Sequence, residues 1–136
     1  MNKIKIGDVY AIPLPNGKYA FGRVLKDCCI AIYKQLSSEC DNIPQDESYQ
    51  FVVGVYQDVL KSGTWKKIRN IPFADESDSE PPQFYMLDKI SGKYRIYHMG
   101  NISSSSKEEC EDLEEAAVWD ENHITDRIIS ELVSET

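Results

Sequence analysis

A chain of 136 residues that is 41% hydrophobic can bury a core and is too apolar to stay unfolded. Its net charge of −8 argues against direct binding to nucleic acid, which needs a cationic footprint. No apolar run reaches membrane-spanning length and Met1–Lys5 lacks the apolar stretch of a signal peptide, so the expected setting is the cytoplasm, with Cys28, Cys29, Cys40 and Cys110 as reduced thiols.

Along the chain, the first element is a hairpin. Asn16-Gly17 stands between two apolar runs, the strongest short-range signal for a two-residue type I′ turn. Such a loop sets Leu14 opposite Tyr19, Ile12 opposite Phe21 and Tyr10 opposite Arg23. One face then carries Tyr10, Ile12, Leu14, Tyr19, Phe21 and Leu25; the other carries Val9, Ala11, Ala20, Gly22 and Val24. Pro13 and Pro15 lack N–H groups, which places this strand at a sheet edge, at least near its end. Cys29–Lys34 reads as a third strand, residues 35–49 as a polar loop, and Gln50–Gln57 as a buried strand in which Gly54 marks a bulge or close approach. Gly63 marks a turn and Trp65 begins another strand.

Ala74–Pro82 is an acidic, proline-terminated loop. Gln83–Ile90 and Lys93–Met99 form a second hairpin about Ser91-Gly92; a two-residue loop would pair Asp88 with Arg95 and Met86 with Tyr97. The period then changes. Ser106 and Glu109 make a capping box, and Cys110, Leu113 and Ala117 recur at helical spacing. A second helix is expected over Ile124–Val133, with Ile124, Ile128, Ile129, Leu132 and Val133 on one face and Asn122 as N-cap. The fold class is α+β, mainly β: a twisted antiparallel sheet or small open barrel built from hairpins, with two C-terminal helices packed on it. The expectation is one domain, β-rich over residues 1–100 and helical and acidic over 101–136.

The stretch Gly7-Asp8-Val9-Tyr10-Ala11-Ile12-Pro13-Leu14-Pro15-Asn16-Gly17-Lys18-Tyr19-Ala20-Phe21-Gly22-Arg23-Val24-Leu25 resembles the opening of the immunity protein 26 family of bacterial polymorphic toxin systems. A weaker likeness covers residues 50–72, where Ser62-Gly63-Thr64-Trp65 leads into Ile71-Pro72 and Arg69 stands where the family often has glycine. The resemblance implies an inhibitor that binds and silences a toxin encoded beside it. It brings no catalytic residues.

Residues 1–100 hold 13 cations against 12 acids, whereas residues 101–136 hold Lys107 and Arg127 against 11 acids. An acidic surface of this kind suits a basic protein partner such as a nuclease domain, whose encounter it would steer, although a merely solvated acidic face has the same composition. The residues expected to meet the partner are Glu108, Glu111, Asp112, Glu114 and Glu115, then Asp75, Glu76 and Asp78 of the acidic loop, with Tyr97 and Trp119 as aromatic anchors. The two histidines, His98 and His123, stand in no hydrolase, metal or phosphate motif, the cysteines lack zinc spacing, and no cofactor is called for. The expected function is neutralisation of a cognate toxin by a monomer in a one-to-one complex that blocks its active site or substrate path. The alternative is a small β-rich module that binds a peptide or another regulatory protein.

Overall fold

Asp8–Pro13 (β1) and Tyr19–Leu25 (β2) form the expected hairpin in a register one residue away from the expected one. The structure, a computed structural model, describes residues 4–45 and 47–134, with side chains as far as Glu131. Tyr10 lies opposite Gly22, Ala11 opposite Phe21 and Ile12 opposite Ala20. The cause is Pro15. Its fixed φ suits the first corner of a type I turn, so the loop takes three residues, Pro15-Asn16-Gly17, rather than two. The Gly17 N–H donates to the Leu14 carbonyl (3.1 Å) and the Leu14 N–H to the Lys18 carbonyl (2.9 Å). Gly17 alone of the three has a positive φ, +82°.

A one-residue slip exchanges the faces of one strand relative to the other. Tyr10, Ile12 and Leu14 therefore share a face with Ala20 and Val24, and large residues sit over small ones. Val9 and Ala11 lie with Phe21 on the opposite face. Replacing Gly17 by valine is expected to cost about 2 kcal/mol, because a β-branched residue resists left-handed backbone even where its side chain meets nothing. A urea-unfolding midpoint equal to the parent's would show that the turn does not depend on this φ.

β1 is a sheet edge only near its end, as Pro13 requires. Lys66–Asn70 (β5) pairs with it on the other side, but only from Asp8 to Ala11, so Pro13 lies past the end of β5 and its missing N–H interrupts no ladder there. Cys29–Tyr33 (β3) and Tyr49–Val55 (β4) continue the sheet beyond β2. A short helix, Gln57–Lys61 (α1), follows β4 and buries Val59 and Leu60. The second sheet contains Phe84–Leu87 (β6), Tyr94–His98 (β7) and Asn101–Ser105 (β8). The β6–β7 loop is four residues long, Lys89 to Gly92, so Met86 faces Arg95 and Leu87 faces Tyr94. The slip from the expected pairing is two residues, so side-chain faces are preserved. The strand β8 was not apparent in the Ser103–Ser106 run. It follows a two-residue turn at Met99-Gly100, both at positive φ (47° and 88°), which is where a type I′ geometry occurs in this hairpin.

The first C-terminal helix is a single turn, Lys107–Cys110 (α2), and does not extend to Ala117. The next residues find better hydrogen-bond partners in the two sheets. Glu114–Glu115 (β9) pairs in parallel with β6, and Val118–Trp119 (β10) in parallel with β4. The resulting orders are β10-β4-β3-β2-β1-β5 and β8-β7-β6-β9, two open mixed sheets in a mainly β, α+β fold. Residues 114–119 are thus a strap tied to one sheet at each end. Gly54 is the close approach: a Cβ there would stand 2.9 Å from the Ala117 carbonyl. Glu121–Ser134 (α3) buries Ile124 and Ile128 against the face containing Tyr10, Ile12, Phe51 and Trp65. Its N-cap is Asp120, whose carboxylate accepts from the His123 N–H (3.1 Å), rather than Asn122. Leu132 and Val133, also expected on the apolar face, have side chains outside the described residues. A third cluster, Leu25, Cys29, Ala31 and Phe84, joins the sheets.

Candidate partner-binding surface

The acidic segment is organised around one buried thiol. Ser106 caps α2 by accepting from the Glu109 N–H (3.3 Å), while its hydroxyl donates to the Glu109 carboxylate (3.2 Å). Cys110 is buried beneath that turn, its Sγ 3.7 Å from Ser105 Oγ. With Cys110 inward, Glu108, Glu111 and Asp112 face solvent, and Glu115 is exposed on β9.

Glu114 has a different position. Its two carboxylate oxygens accept from Nη1 (2.9 Å) and Nη2 (2.7 Å) of Arg127. That guanidinium lies 4.1 Å from the Phe51 ring centroid and 5.3 Å from that of Trp119. Glu114 and Trp119 thus fasten the strap to α3. The two partners are about three-quarters buried, so the bidentate pair is shielded from salt better than a surface bridge.

The other expected acids occupy a 3₁₀ turn, Glu76–Ser79. Asp75 accepts from the Ser77 N–H (2.9 Å) and hydroxyl (2.8 Å), and these bonds hold its pKa below the ordinary value. Glu76 pairs with Lys26 at 3.0 Å, and buried Ser79 accepts the Lys26 N–H through its carbonyl (2.9 Å), which pins the turn to the end of β2. Asp78 is exposed. Tyr97 is half-buried, and its hydroxyl donates to Asp27 (2.7 Å), a bond that raises the phenol's pKa.

These residues do not converge on one cavity. Glu111, Asp112 and Glu114 line one of about 320 Å³. Asp78 lines another of about 550 Å³ beside Arg23. Tyr97 lines a third of about 430 Å³, largely apolar, between the sheets, with Cys28, Phe84, Met86 and Val118. The acids are thus divided between separate cavities and open surface. Among the described residues, no group of three or more His, Cys, Asp or Glu side chains is placed to hold a metal ion. Burial pushes the Cys29 thiol up to about 12, with Asp27 and Cys28 adding to the effect, so it remains protonated at neutral pH. His98 donates a ring N–H to the Pro81 carbonyl (3.1 Å).

One polar cluster was not singled out from the residues alone. Arg23 is 5% exposed on β2. Its guanidinium donates to the carbonyls of Ile71 and Pro72, pairs with Glu47 (3.1 Å) and stacks 3.6 Å from the Phe73 ring centroid. Tyr33 and Tyr49 both donate to Glu47, and burial is the largest of the causes that raise their pKa values. A cation inside an apolar strand run was the available signal. Its partners lie 24 and about 50 residues away, beyond the reach of local spacing.

Residues 5–96 match the protein-family model described as Immunity protein 26. No curated protein and no solved structure matches the chain. The family match includes the Arg23 cluster and ends before the acidic segment.

Proposed function

The chain belongs to the immunity protein 26 family, and from that premise we propose that it binds a cognate toxin domain in the cytoplasm and neutralises it by covering the active site or the path to it. The family match carries this reading. Neutralisation of this type transforms nothing. It requires a rigid surface, complementary charge and a few well-packed anchors.

Glu108, Glu111, Asp112 and Glu115 are the residues we assign to the toxin contact, with Asp78 beside them in chemical character. All five are exposed carboxylates. A basic toxin surface, as a nuclease presents, would be steered towards them over distances set by ionic strength. Glu114 and Trp119 contribute by holding the strap in place, and Asp75 and Glu76 by shaping their turn. The complex is read as one-to-one.

The test is protection in cells. Expression of this chain is expected to rescue a host from the toxin encoded beside its gene and to leave unrelated toxins active. Absence of such a neighbour, or rescue from none, overturns the reading.

A further inference from the structure

Among the described residues four strands terminate the two sheets, and three of them are guarded or short. The outer edge of β5 carries Lys66, Lys67 and Arg69, charges that deter pairing with another chain. The edges at β9 and β10 are two residues long. The fourth, β8, is different. Its sequence Asn101-Ile102-Ser103-Ser104-Ser105 has no charge and no proline, and Asn101 to Ser104 are exposed.

The register tells which backbone groups are unused. His98 and Asn101 flank the two-residue turn and form a hydrogen-bonded pair; alternation then makes Ile96–Ser103 and Tyr94–Ser105 the next such pairs. Ile102 and Ser104 therefore turn their N–H and C=O groups away from β7. No hydrogen bond within the described residues uses them. These groups fit one ligand geometry, an extended polypeptide.

The charge beside this edge gives the ligand's character. A groove of about 620 Å³ runs along β7 and β8 and is lined by Lys93, Arg95 and Lys107 with Tyr94, Ser104 and Ser105, and no acid lines it. None of the three cations forms an ion pair among the described residues. Asp88, just before the β6–β7 loop, accepts from the N–H groups of Ile90 (2.9 Å) and Ser91 (3.4 Å), and it attracts Arg95 without forming an ion pair with it. A cationic groove on a chain of net charge −8 is a local inversion of sign.

We propose that β8 is a docking edge for an extended, acid-bearing segment of a partner protein, which adds a fifth strand to the second sheet. Ile102 and Ser104 would supply the backbone hydrogen bonds. The short serine side chains leave room for carboxylates on the added strand to reach Arg95, Lys93 and Lys107 across one further strand spacing. Homotypic pairing of two β8 edges is disfavoured, because it would bring two sets of these cations together.

The experiment uses the full chain and no toxin, so it stands or falls separately from neutralisation. The probe is a blocked seven-residue peptide alternating glutamate with valine or threonine, compared with its lysine counterpart. Saturable binding of the glutamate peptide is expected, with exchange of the Ile102 and Ser104 amides slowed at least about tenfold and the lysine peptide bound at least about tenfold more weakly. Ser104→Pro, which removes one outward N–H, is expected to lose binding. A glutamate peptide N-methylated at alternate residues tests the same bonds with the protein unaltered and should fail likewise. Equal binding of the two charge variants, full binding of the N-methylated peptide, protection at another element, or self-association of the chain through β8 overturns the proposal.

Discussion

Exchanging Glu108, Glu111, Asp112 and Glu115 for lysine is expected to slow association with the toxin by about tenfold or more at low ionic strength and to weaken protection in cells. The structure explains why these four can be altered together. All four are exposed; Glu108, Glu111 and Asp112 sit at the turn held by Ser106 and Cys110, and Glu115 lies on β9 beside Tyr85. The melting temperature should therefore stay close to the parent's, since surface substitutions away from special features cost little. The difference in rate should shrink as salt is added, because screening shortens the reach of the field. Adding Glu114→Lys should lower the melting temperature as well, because it faces a lysine with the Arg127 guanidinium and frees the strap. Unchanged association kinetics in the four-residue variant would remove this surface from the contact.

The second large effect concerns stability. Arg23→Ala is expected to cost about 3 kcal/mol, measured by urea unfolding. Two carbonyls, Ile71 and Pro72, lose a charged donor, and Phe73 loses the plane it stacks on. Glu47 is 45% exposed on its side chain and rehydrates, so the ion pair itself adds less than a fully buried one would. Arg23→Lys should recover only part of the loss, because an ammonium cannot serve two carbonyls and a carboxylate in one plane while stacking on a ring. A variant as stable as the parent would show that residues 71–73 are held by something else.

The two substitutions separate what local sequence reveals from what it hides. Strands β1 to β4, the Gly54 approach, the Ser106 cap and the Ile124–Ile128 stripe were legible, because each is written in alternation, turn residues or helical spacing. The hairpin register was not, because Pro15 and Asn16-Gly17 ask for different loops and the proline prevails. The helix expected through Leu113 and Ala117 failed for a non-local reason. Its backbone pairs with β6 and β4, roughly 30 and 60 residues earlier, and propensity is easily overridden by such partners. Exposure of the acids could be read from composition. Engagement of Glu114 could not, since Arg127 sits 13 residues away on another element. The polar strand β8 escaped notice because serines carry little β preference. It owes its conformation to the turn at Met99-Gly100 and to β7.

The strap and the final helix also set when the molecule becomes able to act. Residues 114–119 tie both sheets, and Ile124 and Ile128 complete the main core, so the parts that close the structure are synthesised late. A nascent chain still held by the ribosome at these positions exposes strands whose covering has not emerged. Under the proposed neutralisation, protection is therefore expected only from chains translated through α3, and interrupted products are expected to be degraded rather than to act as partial antidotes.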